Sequence, residues 1–333
     1  MRETMRIAII GAGFSGLAAA WYFLQQPHLE VTVFDKKGIG GGASGVAAGL
    51  LHPYAGAHAK LNRFGKEGWE ESCHLIEIAE EALGMPVADR NGLLRLALND
   101  QQVSDFTLSS TRYSDVQFFS EAQCQQHVPG VKAIAGIFIH TAMAVYSDLY
   151  LQGLWKACKR KGAEFLQQEI KRLDEVSQFD CVVIAAGGEI MQLIDATRYS
   201  LTLIKGQLLE LEWPQGLAPL SFPLSSQAYL TMSPDRKTCL VGSTFEKQFT
   251  DLQVDLEQAI QEIIPKAAAF FPAIQTMKIV KGYAGVRIAS KNHLPFYEKI
   301  DAKTWIITGM GSKGLLYHAL YAKQLGVEIG RTN

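Results

Sequence analysis

RIAIIGAGFSGLAAAWYFLQQPHLEVTVFD, residues 6–35, sets the fold class of this chain. Arg6–Ile10 reads as a strand that runs into Gly11-x-Gly13-x-x-Gly16; a small-residue helix follows over about Phe14–Gln26, and Val31–Asp35 returns as a second strand. The glycine spacing alone matches many turns by chance. Between a strand and a helix, with Asp35 24 residues after Gly11, it is a dinucleotide-binding βαβ opening. Gly11 allows the tight turn, Gly13 lets backbone N–H groups reach a pyrophosphate, and Gly16 lets helix and sheet pack closely. A β-branched side chain at Gly13 is expected to fill the pyrophosphate's space and to oppose the turn's backbone angles. Asp35 accepts from ribose hydroxyls. The apolar run 7–24 imitates a signal peptide or membrane span, but its glycine spacing and the VTVFD strand after it favour the nucleotide loop.

Outward from this opening, the 333 residues are 48% hydrophobic and 20% charged, enough for one large or two interleaved domains with a substantial core. Lys and Arg number 32 against 33 Asp and Glu, so no strongly basic surface points to nucleic acid. The one basic run, Lys156, Lys159, Arg160 and Lys161, fits the solvated end of a helix. Five scattered cysteines form no C-x-x-C and no zinc-ligand spacing, which implies a reduced, cytoplasmic setting without a metal.

A glycine-rich stretch, GIGGGASGVAAGLLHPYAG, precedes a helical pattern over Glu67–Leu83 that stops at Gly84-Met85-Pro86. From Gly92 to about His140 the pattern is short strands: LLRLAL, VQFFS, GIFIH. Ser147 resembles an N-cap for a helix over Asp148–Lys161, and FDCVVIAA before Gly187-Gly188 reads as a buried parallel strand. Strand-rich character returns from Gly206 to Met277, with one helix near Leu256–Phe270. Trp305–Thr308, Gly309-Met310-Gly311 and a terminal helix over about Leu315–Ile329 close the chain. Nucleotide-type signals at the beginning, middle and end predict an α/β protein: a Rossmann-like doubly wound domain (1–85, 146–205 and 278–333) with an interleaved strand-rich α+β substrate domain (86–145 and 206–277).

Five segments, in order, resemble the D-amino-acid oxidase family of FAD-dependent oxidoreductases over nearly the whole chain. They are GAGFSGLAAA with VTVFDK, GGASGVAAGLLHP, VVIAAGG, GYAGVRIASKNHLPF and GMGSKGLLYHALYAKQL. Within that family, Gly42–Gly49, Gly285–Pro295 and Gly311–Leu315 are most similar to the FAD oxidase half of the bifunctional tRNA 5-methylaminomethyl-2-thiouridine biosynthesis enzyme. That enzyme's methyltransferase half has no counterpart in these residues, and its glycine-tryptophan is missing before Ser147.

The resemblance implies FAD held by Gly11, Gly13, Phe14, Ser15 and Gly16 at the pyrophosphate, and by Asp35 with Lys36 at the adenosine ribose. It implies Ala43 and Ser44 near the phosphates, Gly49, Leu50 and Leu51 beside the isoalloxazine, Ile170 at the adenine, and Ala186 and Gly187 on the nucleotide side. Gly311, Ser312, Lys313, Gly314 and Leu315 suit the ribityl chain and the flavin's N1 edge, where Lys313 would supply charge. With no cysteine in VRIASKNHLPF, noncovalent FAD is implied. Arg287 matches the family position that pairs with a substrate carboxylate, a task suited to its planar fork. Tyr283, four residues earlier, is a candidate to flank the same pocket or to pack beside it, His52 is an acid/base candidate where the chain passes the flavin, and Lys205 and Gln207 are weaker candidates.

Oxidation of an amine bearing a neighbouring carboxylate, a small amino acid or N-substituted glycine, is the expected activity. Two alternatives stand beside it: removal of a carboxymethyl group from a modified tRNA wobble uridine, and a flavin-binding protein without turnover. A small-molecule partner is favoured over tRNA by the charge balance, and no membrane partner is expected.

Overall fold

The computed structural model describes residues 4–56 and 58–331. A six-stranded sheet runs, in spatial order, Phe296–Lys299, Thr304–Thr308, Cys181–Ile184, Met5–Ile10, Leu29–Phe34 and Glu164–Leu166. All neighbours are parallel except the Phe296–Lys299 edge. Alternation along Met5–Ile10 divides the core. Ile7 and Ile9 face the helices Phe14–Phe23, Gly65–Leu83, Ser147–Arg160 and Gly314–Arg331, whereas Ala8 and Ile10 face a second cluster with Val182, Ile184 and Ile306. The run 7–24, which imitates a targeting segment, is thus the central strand and first helix of a folded core. No helix among the described residues is long and apolar enough to cross a membrane.

An eight-stranded sheet runs Ile279–Ser290, Leu201–Glu212, Thr238–Gly242, Tyr229–Met232, Leu224–Ser225, Leu93–Leu96, Gly136–Ile139 and Val116–Phe119. One face, with Leu94, Leu209, Leu211, Leu230 and Val241, is covered by the helix Leu256–Ala268. A third, small sheet joins Leu50–Leu51, Met143–Val145 and Ala88–Asp89. The two long strands Leu201–Glu212 and Ile279–Ser290 pair from Leu201↔Ser290 to Glu210↔Lys281 and form a ribbon common to both parts. Leu201, Leu203 and Ile288 belong to the core under the six-stranded sheet, while Leu209 and Leu211 belong to that of the other. The expected boundary at 205/206 therefore falls inside a strand.

Two further local expectations change. Ser147 is the first helical residue rather than the cap, because its Oγ donates to the Ala47 carbonyl at 2.9 Å; the N-cap position is Tyr146. The region 92–140 also contains two helices, Asp100–Arg112 and Glu121–His127. Asn99 caps the first by accepting from the Gln102 N–H, and Ser120 and Gln123 form a capping box on the second.

Helix approach is set by glycine where a side chain would not fit. A Cβ on Gly153 would lie 2.5 Å from the Ala79 carbonyl oxygen, and one on Gly68 2.5 Å from that of Leu316. Gly153→Ala thus opposes two effects: a helix-propensity gain of about 1 kcal/mol and an overpacking cost of about 1–3 kcal/mol against rigid backbone. Thermal unfolding should show a lower Tm for the variant; a higher Tm would mean that the two helices are not this close.

Candidate active site

The first, parallel sheet brings its strand C-termini to one edge, where an open α/β sheet binds its ligands. Gly11 has φ +111°, and a Cβ there would strike the Ala185 carbonyl oxygen, so both the turn and the neighbouring strand exclude a side chain. Gly13 differs. Its angles, φ −87° and ψ −167°, suit any residue, and the expected angular penalty on a β-branched replacement is absent. What excludes a side chain is crowding, since a Cβ would lie 2.8 Å from Ser44 Oγ. That hydroxyl accepts from the Phe14 N–H at 3.1 Å, which fastens Ala43-Ser44 to the start of the helix. Gly13, the N-cap residue, has no side chain to cap the helix, and Ser44 takes only the Phe14 N–H, so the rest of the first turn and its dipole suit a phosphate.

Asp35 holds the loop to the next strand, accepting from the N–H groups of Ala12 at 2.9 Å, Lys37 at 2.8 Å and Gly38 at 3.1 Å. Lys36 forms ion pairs with Glu189 at 2.8 Å and Glu169 at 3.2 Å. Ile170 is buried in the same core as Phe34, and Ala186 packs against it. Gly187 begins the turn with φ +55°. Ser15 and Gly16 lie in the first turn of the helix Phe14–Phe23.

The glycine-rich segment continues past Gly49, whose φ of +75° brings its backbone against the Val145 carbonyl, into the short strand Leu50–Leu51. His52 follows. Burial, with the Arg95 charge adding to it, pushes its pKa down to about 3, and its Nδ1 has no hydrogen-bond partner among the described residues. An imidazole that holds a proton this weakly is neutral at working pH and a poor general base.

Residues paired across a β-ladder share a face, and the register places Arg95, Ser225, Tyr229, Gly242, Leu208 and Tyr283 in one transverse row on the face opposite the helix Leu256–Ala268. Arg287 stands on this same face, four residues along from Tyr283 and opposite Ile204. Its guanidinium lies over Gly206, where a Cβ would collide with it, and has only a long, 3.5 Å, contact to the Thr244 carbonyl. No acidic side chain pairs with it among the described residues, and burial lowers its pKa. Tyr229 is its electrostatic neighbour, its own pKa raised by burial to about 12. The Tyr283 hydroxyl is committed, donating to Glu210 at 2.6 Å. Lys205 and Gln207 point the other way: Gln207 bonds Glu246, Gln258 and the Asp255 N–H, and Lys205 Nζ lies 3.7 Å from Asp251.

Close contacts bring the separate motifs together. A Cβ on Gly285 would lie 2.9 Å from Ala43 Cα, so the strand carrying Arg287 rests on the glycine-rich segment. Ala289 bridges Met310, which leads into Gly311-Ser312-Lys313 and the terminal helix at Gly314-Leu315. Lys313 has no ion pair among the described residues, and burial lowers its pKa. The glycine cradle, a helix start whose N-cap is a glycine, and this second loop fit a dinucleotide that extends toward Arg287. Sequence reasoning missed Tyr229, Thr244 and Arg95. They look like ordinary alternating strand residues until long-range pairing shows which face they occupy.

Fold and site define an oxidoreductase of the dinucleotide-binding α/β class. The chain belongs to the DAO family of FAD dependent oxidoreductases, whose model matches residues 6–326. It is 26% identical to the tRNA 5-methylaminomethyl-2-thiouridine biosynthesis bifunctional protein MnmC of Polaromonas naphthalenivorans, covering 97% of this chain and 56% of that protein. It thus spans about half the length of such relatives. With D-aspartate oxidase 1 of Caenorhabditis elegans it shares 25% identity over 90% of this chain and 87% of that one. Glycine oxidase from Geobacillus kaustophilus has the same fold, with TM-score 0.84 at 21% identity over 98% of this chain and 95% of that one.

Gly13→Val should abolish FAD retention through crowding at Ser44 and the pyrophosphate, measured as flavin released per protein after acid denaturation; stoichiometric FAD in the variant would contradict the loop assignment. A second test concerns acid stability. His318 is buried, its Nδ1–H donating to the Leu315 carbonyl at 3.0 Å and its Nε2 accepting from the Tyr150 hydroxyl at 2.6 Å, and burial lowers its pKa to about 4. Because the folded-state pKa lies below the unfolded one, its contribution is complete above about pH 6.5 and is lost as pH falls toward 4. His318→Gln should lose roughly 1–2 kcal/mol less than the parent between pH 7 and pH 5 in urea unfolding. Equal losses would place the acid limb elsewhere.

Proposed function

We propose that the protein binds FAD noncovalently and oxidises the C–N bond of an amine bearing a neighbouring carboxylate, a small amino acid or an N-substituted glycine. The single observation that carries this is Arg287: a largely buried guanidinium without an acidic protein partner, on the sheet face that meets the glycine-rich segment. Leaving a cation desolvated and unpaired is costly, and a substrate carboxylate accepting two parallel N–H bonds offsets that cost. Residues 1–85, 146–205 and 278–333 form the FAD-binding part and 86–145 with 206–277 the substrate part, joined by the shared ribbon. The free state of all five cysteines supports a cytoplasmic setting.

FAD, when bound, supplies the two-electron acceptor for a hydride equivalent leaving the carbon beside the nitrogen. The protein orients. Arg287 fixes the carboxylate, Tyr229 walls the pocket beside it, and neutral His52 adds no positive charge to compete with the arginine for it. Lys313 and the start of the terminal helix would hold the flavin's N1 edge and supply positive potential there. A second reading, removal of a carboxymethyl group from a tRNA wobble uridine, is favoured by the match of 97% of this chain to the MnmC protein. Both substrates present the same N-carboxymethyl group to Arg287.

Anaerobic mixing of the holoprotein with carboxylate-bearing amines, their carboxylate-free counterparts and modified tRNA, followed by the flavin spectrum, separates these readings. Arg287→Lys should keep FAD yet lower the catalytic efficiency for carboxylate amines about ten- to a hundredfold, since one charge-assisted bond is worth about 1.5–3 kcal/mol. Flavin reduction at saturating substrate should slow as well. Equal losses with and without the carboxylate would make Arg287 a structural arginine.

A further inference from the structure

A second arginine shares the sheet face of Arg287. Arg95 lies in the same transverse row as Tyr229, two strands away through Ser225, so their Cα atoms stand about 10 Å apart at ordinary strand spacing. Its neighbours are of two kinds. The Phe106 ring lies 5.7 Å from Cζ, and the Tyr54 carbonyl accepts weakly from Nη1 at 3.4 Å. No Asp or Glu pairs with it among the described residues, and burial alone, with no acid adding to it, shifts its pKa. Burial lowers the Arg95 pKa to about 10, so the guanidinium is desolvated without being neutralised. Its field reaches His52, whose buried Nδ1 also lacks a partner. Two polar groups from different elements, the strand Leu93–Leu96 and the segment after Leu50–Leu51, are thus left with unspent hydrogen-bonding capacity at one end of the face that holds Arg287.

We infer that Arg95, with His52 beside it, forms a subsite for a second anionic group on the substrate, so that the preferred amine carries a carboxylate at each end. This deepens the function proposed above and rests on it. One carboxylate, next to the reacting C–N bond, goes to Arg287; the other, at the far end of a chain, goes to Arg95. Arg287 stands five strands from Arg95 and four residues along from its row, roughly 25–30 Å between Cα atoms at ordinary strand spacing, so N-carboxymethyl ω-amino acids with long methylene chains suit the pair better than one in which a single methylene separates nitrogen from the second acid. Arg95 acts here as a specificity-determining residue and takes no part in the bond changes.

The test uses the FAD-loaded full chain and inert ethers in which oxygen replaces the amine nitrogen: diacids of increasing length, and monoacids of matched length ending in a methyl group. Dissociation constants are read from the perturbation of the flavin spectrum and, independently, from ligand-induced thermal stabilisation. The holoprotein should bind the longer diacids at least tenfold more tightly than the matched monoacids, and Arg95→Gln should bring that ratio to about one. Arg95→Lys, which keeps the charge, should retain part of the preference even if the glutamine variant folds poorly. Monoacids bound as well as diacids by the parent protein would overturn the Arg95 subsite and leave Arg287 standing. Binding of neither acid would overturn both. An unchanged ratio in Arg95→Gln would make the arginine a packing partner of Phe106 only.

Discussion

The antiparallel ribbon of Leu201–Glu212 and Ile279–Ser290 is the constraint on which the rest of the molecule depends. Its ends are buried in different cores, and at Gly285 its backbone rests directly on Ala43 of the glycine-rich segment. Arg287 is therefore positioned by backbone register against the nucleotide-binding edge, and less by the choices of a long side chain. A slip of one residue would turn it toward the helix Leu256–Ala268, where Lys205 and Gln207 now make their polar contacts. The hydrophobic alternation that holds Leu209 and Leu211 in place on the opposite face fixes the register, and so fixes which residues share the face of Arg287.

Electrostatically the site is an exception within a balanced chain. The sequence carries a net charge of −1, yet Arg287, Arg95 and Lys313 all lack acidic partners among the described residues, while His52 is held neutral. Desolvation depresses the pKa of each of the three cations, the mark of a positive charge that the protein itself has not compensated. Such an arrangement selects anionic ligands by the cost of leaving its cations unpaired.

Much of this was legible in the sequence, because the informative signals were local. Gly11, Gly13, Gly16 and Asp35 announced the βαβ opening, and the order of the remaining motifs gave the family. Local signals were also overlooked: Asn99 before Gln102 and Ser120 before Gln123 mark the helix starts of Asp100–Arg112 and Glu121–His127, hidden by the short strands around them. Ser147 carried the opposite error, a cap-like residue whose hydroxyl goes to a distant carbonyl. Tyr229 and Arg95 were beyond reach for a different reason. Their significance lies in a row that crosses six strands drawn from residues nearly two hundred apart in the chain, and no window of sequence contains it.

The central claim is that Arg287 presents a two-pronged carboxylate site to the flavin edge. A crystal structure of the FAD-loaded protein with methoxyacetate, an inert ether analogue of N-methylglycine, tests it most directly. Two parallel N–H···O bonds from Arg287 to the carboxylate are expected, with the ether oxygen turned toward the flavin and Tyr229 alongside. A carboxylate bound elsewhere, with the Arg287 guanidinium still resting on the Thr244 carbonyl, would contradict it.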